Sequence, residues 1–285
     1  MTLIRLEPDA ASHLVEPSLV AALDGWVDAG SAATVAAEQL AAAGRVVARF
    51  DNDQLYDYRS RRPTLDIVDG RLTELTWPEL TIRAATVHDR DLLVLSGPEP
   101  DDRWRALAVD LVDLADRLGV VEWISLGAIP AAVPHTRPVP VLGTEAQAGQ
   151  LRGNVRPGPI GRLRVPSATI SVLEMAFADA GLSAVGYFAQ VPHYVNGPYP
   201  AASLELLRAV GAHLGIEPPL GELSDEARQI RTRLDSATAV DDVARTYVER
   251  LEAMADEERL PAGDDLIADI EKYLRERGGE GTQRT

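Results

Sequence analysis

Asp24-Gly25-Trp26-Val27-Asp28-Ala29-Gly30-Ser31 stands between an apolar run, Leu19 to Leu23, and an Ala-rich segment, Ala32 to Ala43. An apolar run, a turn with two glycines and a helix-forming segment read as strand, loop and helix. Ser31 suits the helix N-cap and Gly44 its stop. In a parallel α/β sheet such a loop falls at the carboxyl end of a strand, where ligands bind against free helix N–H groups. Asp28 and Trp26 therefore stand where recognition or chemistry is expected, with Gly25 and Gly30 supplying backbone freedom. Simpler roles compete with that reading: Asp28 can cap the helix, and Trp26 can pack at the edge of a core.

Outward from this loop, Arg45 to Phe50 alternates like a strand, and 51 to 62 reads as a loop or short helix. Asp69-Gly70 between Thr64–Val68 and Arg71–Leu75 is the strongest hairpin signal in the chain. Strands are expected at Thr81–Val87 and Leu92–Leu95, then a helix whose apolar residues recur from Trp104 to Leu118, then a strand at Val121–Leu126. This strand, helix, strand succession predicts a parallel sheet. Val139–Gly143 adds a further strand, and 149 to 166, rich in Gly, Pro and Arg, reads as a structured loop. A helix follows to about Ala180, with Ser171 and Glu174 matching a capping box, then a strand at Ser183–Ala189 and a helix at Ala201–Leu214.

Pro218-Pro219 marks the one convincing boundary. The expected organisation is an α/β domain over 1–218, an acidic helical appendage over 219–277 and a disordered tail over 278–285. Val240, Val243, Tyr247, Leu251 and Met254 form the apolar stripe expected to dock the appendage or to serve a partner.

The 285 residues carry 28 basic and 44 acidic side chains, a net charge of −16, which disfavours general binding to nucleic acid or anionic membrane. There is no cysteine, which removes thiolate chemistry and disulfides and suits a reducing, cytoplasmic setting. Lys272 is the only lysine, so a P-loop or Schiff-base lysine is absent from the α/β segment. No G-x-G-x-x-G follows a strand, and there is no G-x-S-x-G or H-E-x-x-H. No histidine spacing suggests a metal, and no cofactor is expected.

Two proline-bracketed loops carry the remaining candidates. In Pro134-His135-Thr136-Arg137-Pro138, His135 could act as a base and Arg137 could hold an anion; His193-Tyr194 lies in the other loop. Asp28, His135, Arg137 and His193 are the candidate catalytic set, and Gly25, Trp26, Gly30 and Tyr194 complete a candidate ligand site. A rigid loop whose polar groups bond the backbone explains the same residues without chemistry.

Gly25-Trp26-x-Asp28-Ala29-Gly30, Gly127-x-x-Pro130 with Pro134 to Pro138, Gly158-Pro159-Ile160, and Val191-Pro192-His193-Tyr194 before Tyr199-Pro200 together resemble the proteasome assembly chaperone 2 family, in its actinobacterial branch. The resemblance spans roughly residues 20 to 215. It implies a three-layer α/β/α sandwich, similar to phosphorylases and hydrolases, with the C-terminal helices appended. It also implies homo-oligomers, trimers among them, and proteasome subunits as partners. One departure stands out: chaperones of the outer ring often end in hydrophobic-Tyr-any, whereas Gln283-Arg284-Thr285 ends this chain. The leading expectation is a non-catalytic, homo-oligomeric binding protein with Trp26, Tyr56, Tyr58 and Trp77 as contact anchors. The alternatives are a small-molecule enzyme, hydrolase or nucleoside-phosphorylase-like, and a metabolite sensor using a cleft at the strand ends.

Overall fold

The structure, a computed structural model, describes residues 2–259 apart from 11, 154 and 160. The expected tail and the segment around Lys272 lie outside the described residues. Strands β1 (Ile4–Leu6), β2 (Ser18–Asp24) and β3 (Arg45–Phe50) are interleaved with helices α1 (Ala32–Leu40) and α2 (Asn52–Leu55). A hairpin follows, β4 (Thr64–Val68) and β5 (Arg71–Thr76), then β6 (Thr81–Val87), β7 (Arg90–Pro98), α3 (Trp104–Leu118) and β8 (Glu122–Ala131). The chain continues through β9 (Val141–Glu145), β10 (Arg156–Pro157), α4 (Thr169–Asp179), β11 (Ser183–Pro192) and α5 (Pro200–Leu214). Helices α6 (Leu223–Ala239) and α7 (Asp242–Arg259) complete it.

Nine strands form one mixed sheet in the order β1-β3-β6-β7-β2-β8-β11-β9-β10. Its centre, β7, β2, β8 and β11, is parallel, and these strands read as nearly continuous apolar runs because helices cover both faces. On one face Ala32, Ala33, Ala36, Ala37 and Leu40 of α1 pack with Leu206, Leu207 and Val210 of α5. The alanines let α1 lie close to the sheet. On the other face Leu107, Leu111 and Leu114 of α3 pack with Ile170, Leu173 and Phe177 of α4, and the Phe177 and Trp123 rings lie 4.4 Å apart. The molecule is thus the three-layer α/β/α sandwich that the resemblance implies.

Two local expectations are corrected. The capping box at Ser171 does not form, because Glu174 accepts a hydrogen bond from Thr144 Oγ1 at 2.6 Å, while Glu99 takes the N-terminus of α4 through the Thr169 N–H at 2.7 Å. The apolar stripe of the appendage holds only in part. Leu251 is buried, with Val248 beside it, and Tyr247 reaches His193, whereas Val240 and Val243 are more than four-fifths exposed.

Candidate functional site

The connections after β2 and β8 run to opposite sides of the sheet, so the crevice between their carboxyl ends is the topological switch point where α/β proteins hold ligands. Here the loop after β2 pairs directly with β8. Asp28 bridges Ala128 in parallel fashion, and the Ala128 N–H donates to the Val27 carbonyl at 2.6 Å.

Asp28 is buried and faces the start of α1. Its carboxylate accepts from the Ala33 N–H at 2.7 Å, from the Thr34 N–H at 3.4 Å and from Thr34 Oγ1 at 2.5 Å. Burial raises its pKa above the usual carboxylate value, against the lowering effect of those hydrogen bonds. It is a helix cap whose oxygens are taken, and Ser31, expected there, makes no side-chain cap. Replacing Asp28 with Ala should lower stability by about 1–2 kcal/mol, read as a shifted midpoint of urea unfolding.

The flanking glycines have steric reasons. Gly30 adopts φ 65°, and a Cβ there would meet Tyr199 Cβ at 2.8 Å; a Cβ on Gly25 would meet Glu99 Oε2 at 2.6 Å. Trp26 neither packs nor caps. It is two-thirds exposed, while its N–H donates to Glu99 Oε2 at 3.2 Å. Glu99, buried between this loop and α4, escaped sequence reasoning; an acidic residue between two prolines directly after a buried strand was the available signal.

The two proline-bracketed loops do converge, and the appended helices cover them. The His135 imidazole is buried, with Nδ1 2.7 Å from Tyr194 Oη and Nε2 3.2 Å from Asp235 Oδ1 of α6. The carboxylate only accepts, so Nε2 carries the proton and Nδ1 accepts from the tyrosine hydroxyl. Tyr194 Oη also accepts the His135 N–H at 2.8 Å, and the His135 carbonyl accepts from Arg231 at 2.9 Å. Burial and the Arg231 charge lower the His135 pKa, and Asp235 opposes them only in part. A neutral imidazole with both nitrogens engaged has no free lone pair for a substrate.

His193 donates through Nδ1 to the Ala131 carbonyl at 3.0 Å, and its Nε2 lies 3.2 Å from Tyr247 Oη of α7. Arg137 grips Asp256 at 2.8 Å through two nitrogens and Glu252 at 3.2 Å. These partners hold its guanidinium even more firmly protonated than usual, the Asp256 hydrogen bond foremost. Thr136 also donates to Glu252. His135, Arg137, His193 and Tyr194 thus share one seam, and that seam fastens α6 and α7 to the sheet. Asp28 faces the start of α1 instead. Beside the seam, a groove of about 780 Å³ is lined by Arg137, Arg208, Arg228 and Arg231, each paired with a carboxylate. Among the described residues no cluster of His, Asp and Glu is arranged to hold a metal, and no helix is long and apolar enough to cross a membrane.

A second ionisable cluster lies at the opposite, amino end of the strands. Glu122 Oε1 accepts from Ser18 Oγ at 2.6 Å, and Oε2 meets His213 Nε2 at 3.0 Å. His213 Nδ1 lies 2.7 Å from the buried Tyr187 hydroxyl. No sequence motif signalled this set, although a glutamate opening an otherwise apolar strand was visible.

The family model described as the PAC2 family matches residues 22–238. A Corynebacterium glutamicum protein of unknown function is 35% identical with a TM-score of 0.83, over 90% of this chain and 98% of its own. A Mycobacterium tuberculosis proteasome-assembly chaperone homologue is 37% identical with a TM-score of 0.74, over 81% of this chain and 99% of its own. A Pyrococcus furiosus archaeal proteasome activator, 16% identical with a TM-score of 0.64 over 83% and 99% of the two chains, shares the fold. Among curated proteins, none is significantly similar to this chain. With its fold and more than half its length matched, the chain belongs to the PAC2 family.

Proposed function

We infer that this chain is a non-catalytic, homo-oligomeric binding protein that acts on proteasome subunits in the cytoplasm, with a trimer as the expected assembly. The observation that carries the reading is the seam: His135, Arg137, His193 and Tyr194 spend their polar atoms holding α6 and α7 in place. At the switch point the loop after β2 pairs with β8 through Asp28 and Ala128, which supports binding over the enzyme and sensor readings of that point. Identity of 37% to a proteasome-assembly chaperone homologue supports the choice of partner. The α6–α7 arm is acidic and exposes Val240 and Val243 at its turn, which suits it to contact another protein.

The test is co-purification of the chain with proteasome core α and β subunits from its own source, together with the rate of core-particle assembly on native gels. A stable complex with at least one subunit type and a changed assembly rate is expected. Neither binding nor any effect on the rate would overturn the reading.

A further inference from the structure

Trp26 and the arginine-rich loop before α4 take no part in the seam. Between Glu145 and Glu174 the chain holds four arginines and no carboxylate, in a protein of net charge −16. Arg162-Leu163-Arg164-Val165-Pro166-Ser167 lies outside helix and strand, and all six residues are exposed. Among the described residues, no backbone group from 161 to 166 is paired, and Arg162 and Arg164 form no ion pair. Arg137, Arg208, Arg228 and Arg231, by contrast, each hold a carboxylate.

The segment has two chemically different sides. In an extended chain alternate side chains point the same way, so Arg162 and Arg164 share one side and Leu163 and Val165 the other. Pro166 disfavours helical backbone at Val165, and Ala168, the last residue before α4, is extended. Leu163 and Val165 are each 63% exposed, and Trp26 is 67% exposed. Glu99 holds Trp26 beside the end of the segment: its Oε2 accepts the Trp26 N–H at 3.2 Å and its Oε1 the Thr169 N–H at 2.7 Å.

We propose that Trp26 and residues 162–165 form a docking surface for an extended, acidic segment of a partner protein, one that alternates carboxylates with apolar side chains. The proposal rests on the reading of the chain as a binding protein and names the chemistry of what it binds. Charge selects the occupant. The acidic remainder of the surface repels a carboxylate-rich partner, so the stretch with unpaired guanidinium groups is where such a partner is admitted, and like-charge repulsion elsewhere fixes its position. Guanidinium groups also hold carboxylates in a planar, two-bonded geometry. The free backbone N–H and carbonyl groups allow the partner to pair as an added strand, with alternate side chains giving specificity. Pro166 has no N–H and ends that pairing. The aliphatic pair and the exposed tryptophan favour a polypeptide over nucleic acid, since a partner with apolar side chains covers them and tryptophan is a frequent interface anchor.

The experiment is fluorescence anisotropy of the full chain with a short fluorescein-labelled peptide of alternating Glu and Val, against the same peptide with Gln for Glu. The variants are Arg162→Glu with Arg164→Glu, Trp26→Ala, and Arg117→Glu on α3 as the control. Saturable binding of the acidic peptide that weakens as salt is raised is expected. Affinity should fall at least about tenfold for the neutral peptide and for the double arginine variant, and roughly tenfold for Trp26→Ala, with Arg117→Glu like wild type. No binding of the acidic peptide, equal binding of the neutral one, or unchanged affinity in the double variant would overturn the proposal. So would tighter binding of a labelled single-stranded oligonucleotide or of phosphatidylserine-containing vesicles, lost in the double variant, which would assign the arginines to nucleic acid or to membrane. Each of these failures leaves the proteasome reading to its own co-purification test.

Discussion

Replacing Glu122 with leucine is expected to cost about 3–5 kcal/mol of folding stability, because one change strands partners that are themselves shielded from water. Ser18 loses its acceptor and His213 loses the carboxylate at its Nε2, while the Tyr187 hydroxyl stays tied to an imidazole that is no longer anchored. Glu122→Gln should cost less, since the amide keeps the shape and one acceptor oxygen. The pH dependence separates charge from shape. Burial pushes the Glu122 carboxyl up, but hydrogen bonds from His213 and Ser18, with the charges of His213 and Arg90, outweigh it and leave the pKa below the usual value. A depressed carboxyl contributes stability above its unfolded pKa of about 4.3 and loses it as pH falls through the folded value. Urea unfolding from pH 7 to pH 3 should therefore show wild type well above Glu122→Gln at neutral pH, with the gap closing below about pH 4.5. A gap independent of pH would assign the cluster to packing alone.

Replacing His135 with alanine is expected to loosen α6 and α7 by about 2–3 kcal/mol, the sum of two lost hydrogen bonds and a small cavity. The readout is hydrogen exchange across residues 223–259, which should speed up while β2, β8 and β11 stay protected. Because the folded-state pKa of His135 is depressed, its contribution is present above the unfolded value of about 6.5 and is lost as pH falls below it. Wild-type protection of the arm should therefore weaken between pH 7 and pH 5, and that pH dependence should diminish in the alanine variant. Unchanged arm protection in the variant would mean that the seam does not hold the helices, and would return His135 to the pool of groups available for chemistry.

How far each feature was legible follows from how local its cause is. The strand, loop and helix around Asp28, the Asp69-Gly70 hairpin and the helix from Trp104 to Leu118 rest on periodicity and turn chemistry within a few residues, and they stand in the structure where the sequence places them. The order of these elements was enough to predict a parallel α/β sheet, since strands alternating with helices favour that arrangement; the three-layer sandwich followed from what the family resemblance implies. The site behaved differently. The Pro134–Pro138 and His193-Tyr194 loops were visible as polar clusters, but their meaning depended on partners far along the chain: Tyr194 lies 59 residues from His135, and Asp235 lies 100 away.

By itself, then, the sequence determined the fold class, the absence of thiol chemistry, the acidic character and the family membership signalled by its ordered motifs. Only the tertiary structure decided what the polar residues do. A carboxylate or imidazole has the same formula whether it awaits a substrate or is saturated by neighbours, and burial and contact distinguish the two. That is why Asp28 proves to be a cap, why Tyr56, expected as a surface anchor, lies buried with its hydroxyl on the Pro98 carbonyl, and why Glu99 and Glu122 emerge as anchors. The stripe on α7 held only in part for the same reason: Leu251 is buried as expected and Val248, on the same face, joins it, because only the surface beneath the helix selects which face is buried.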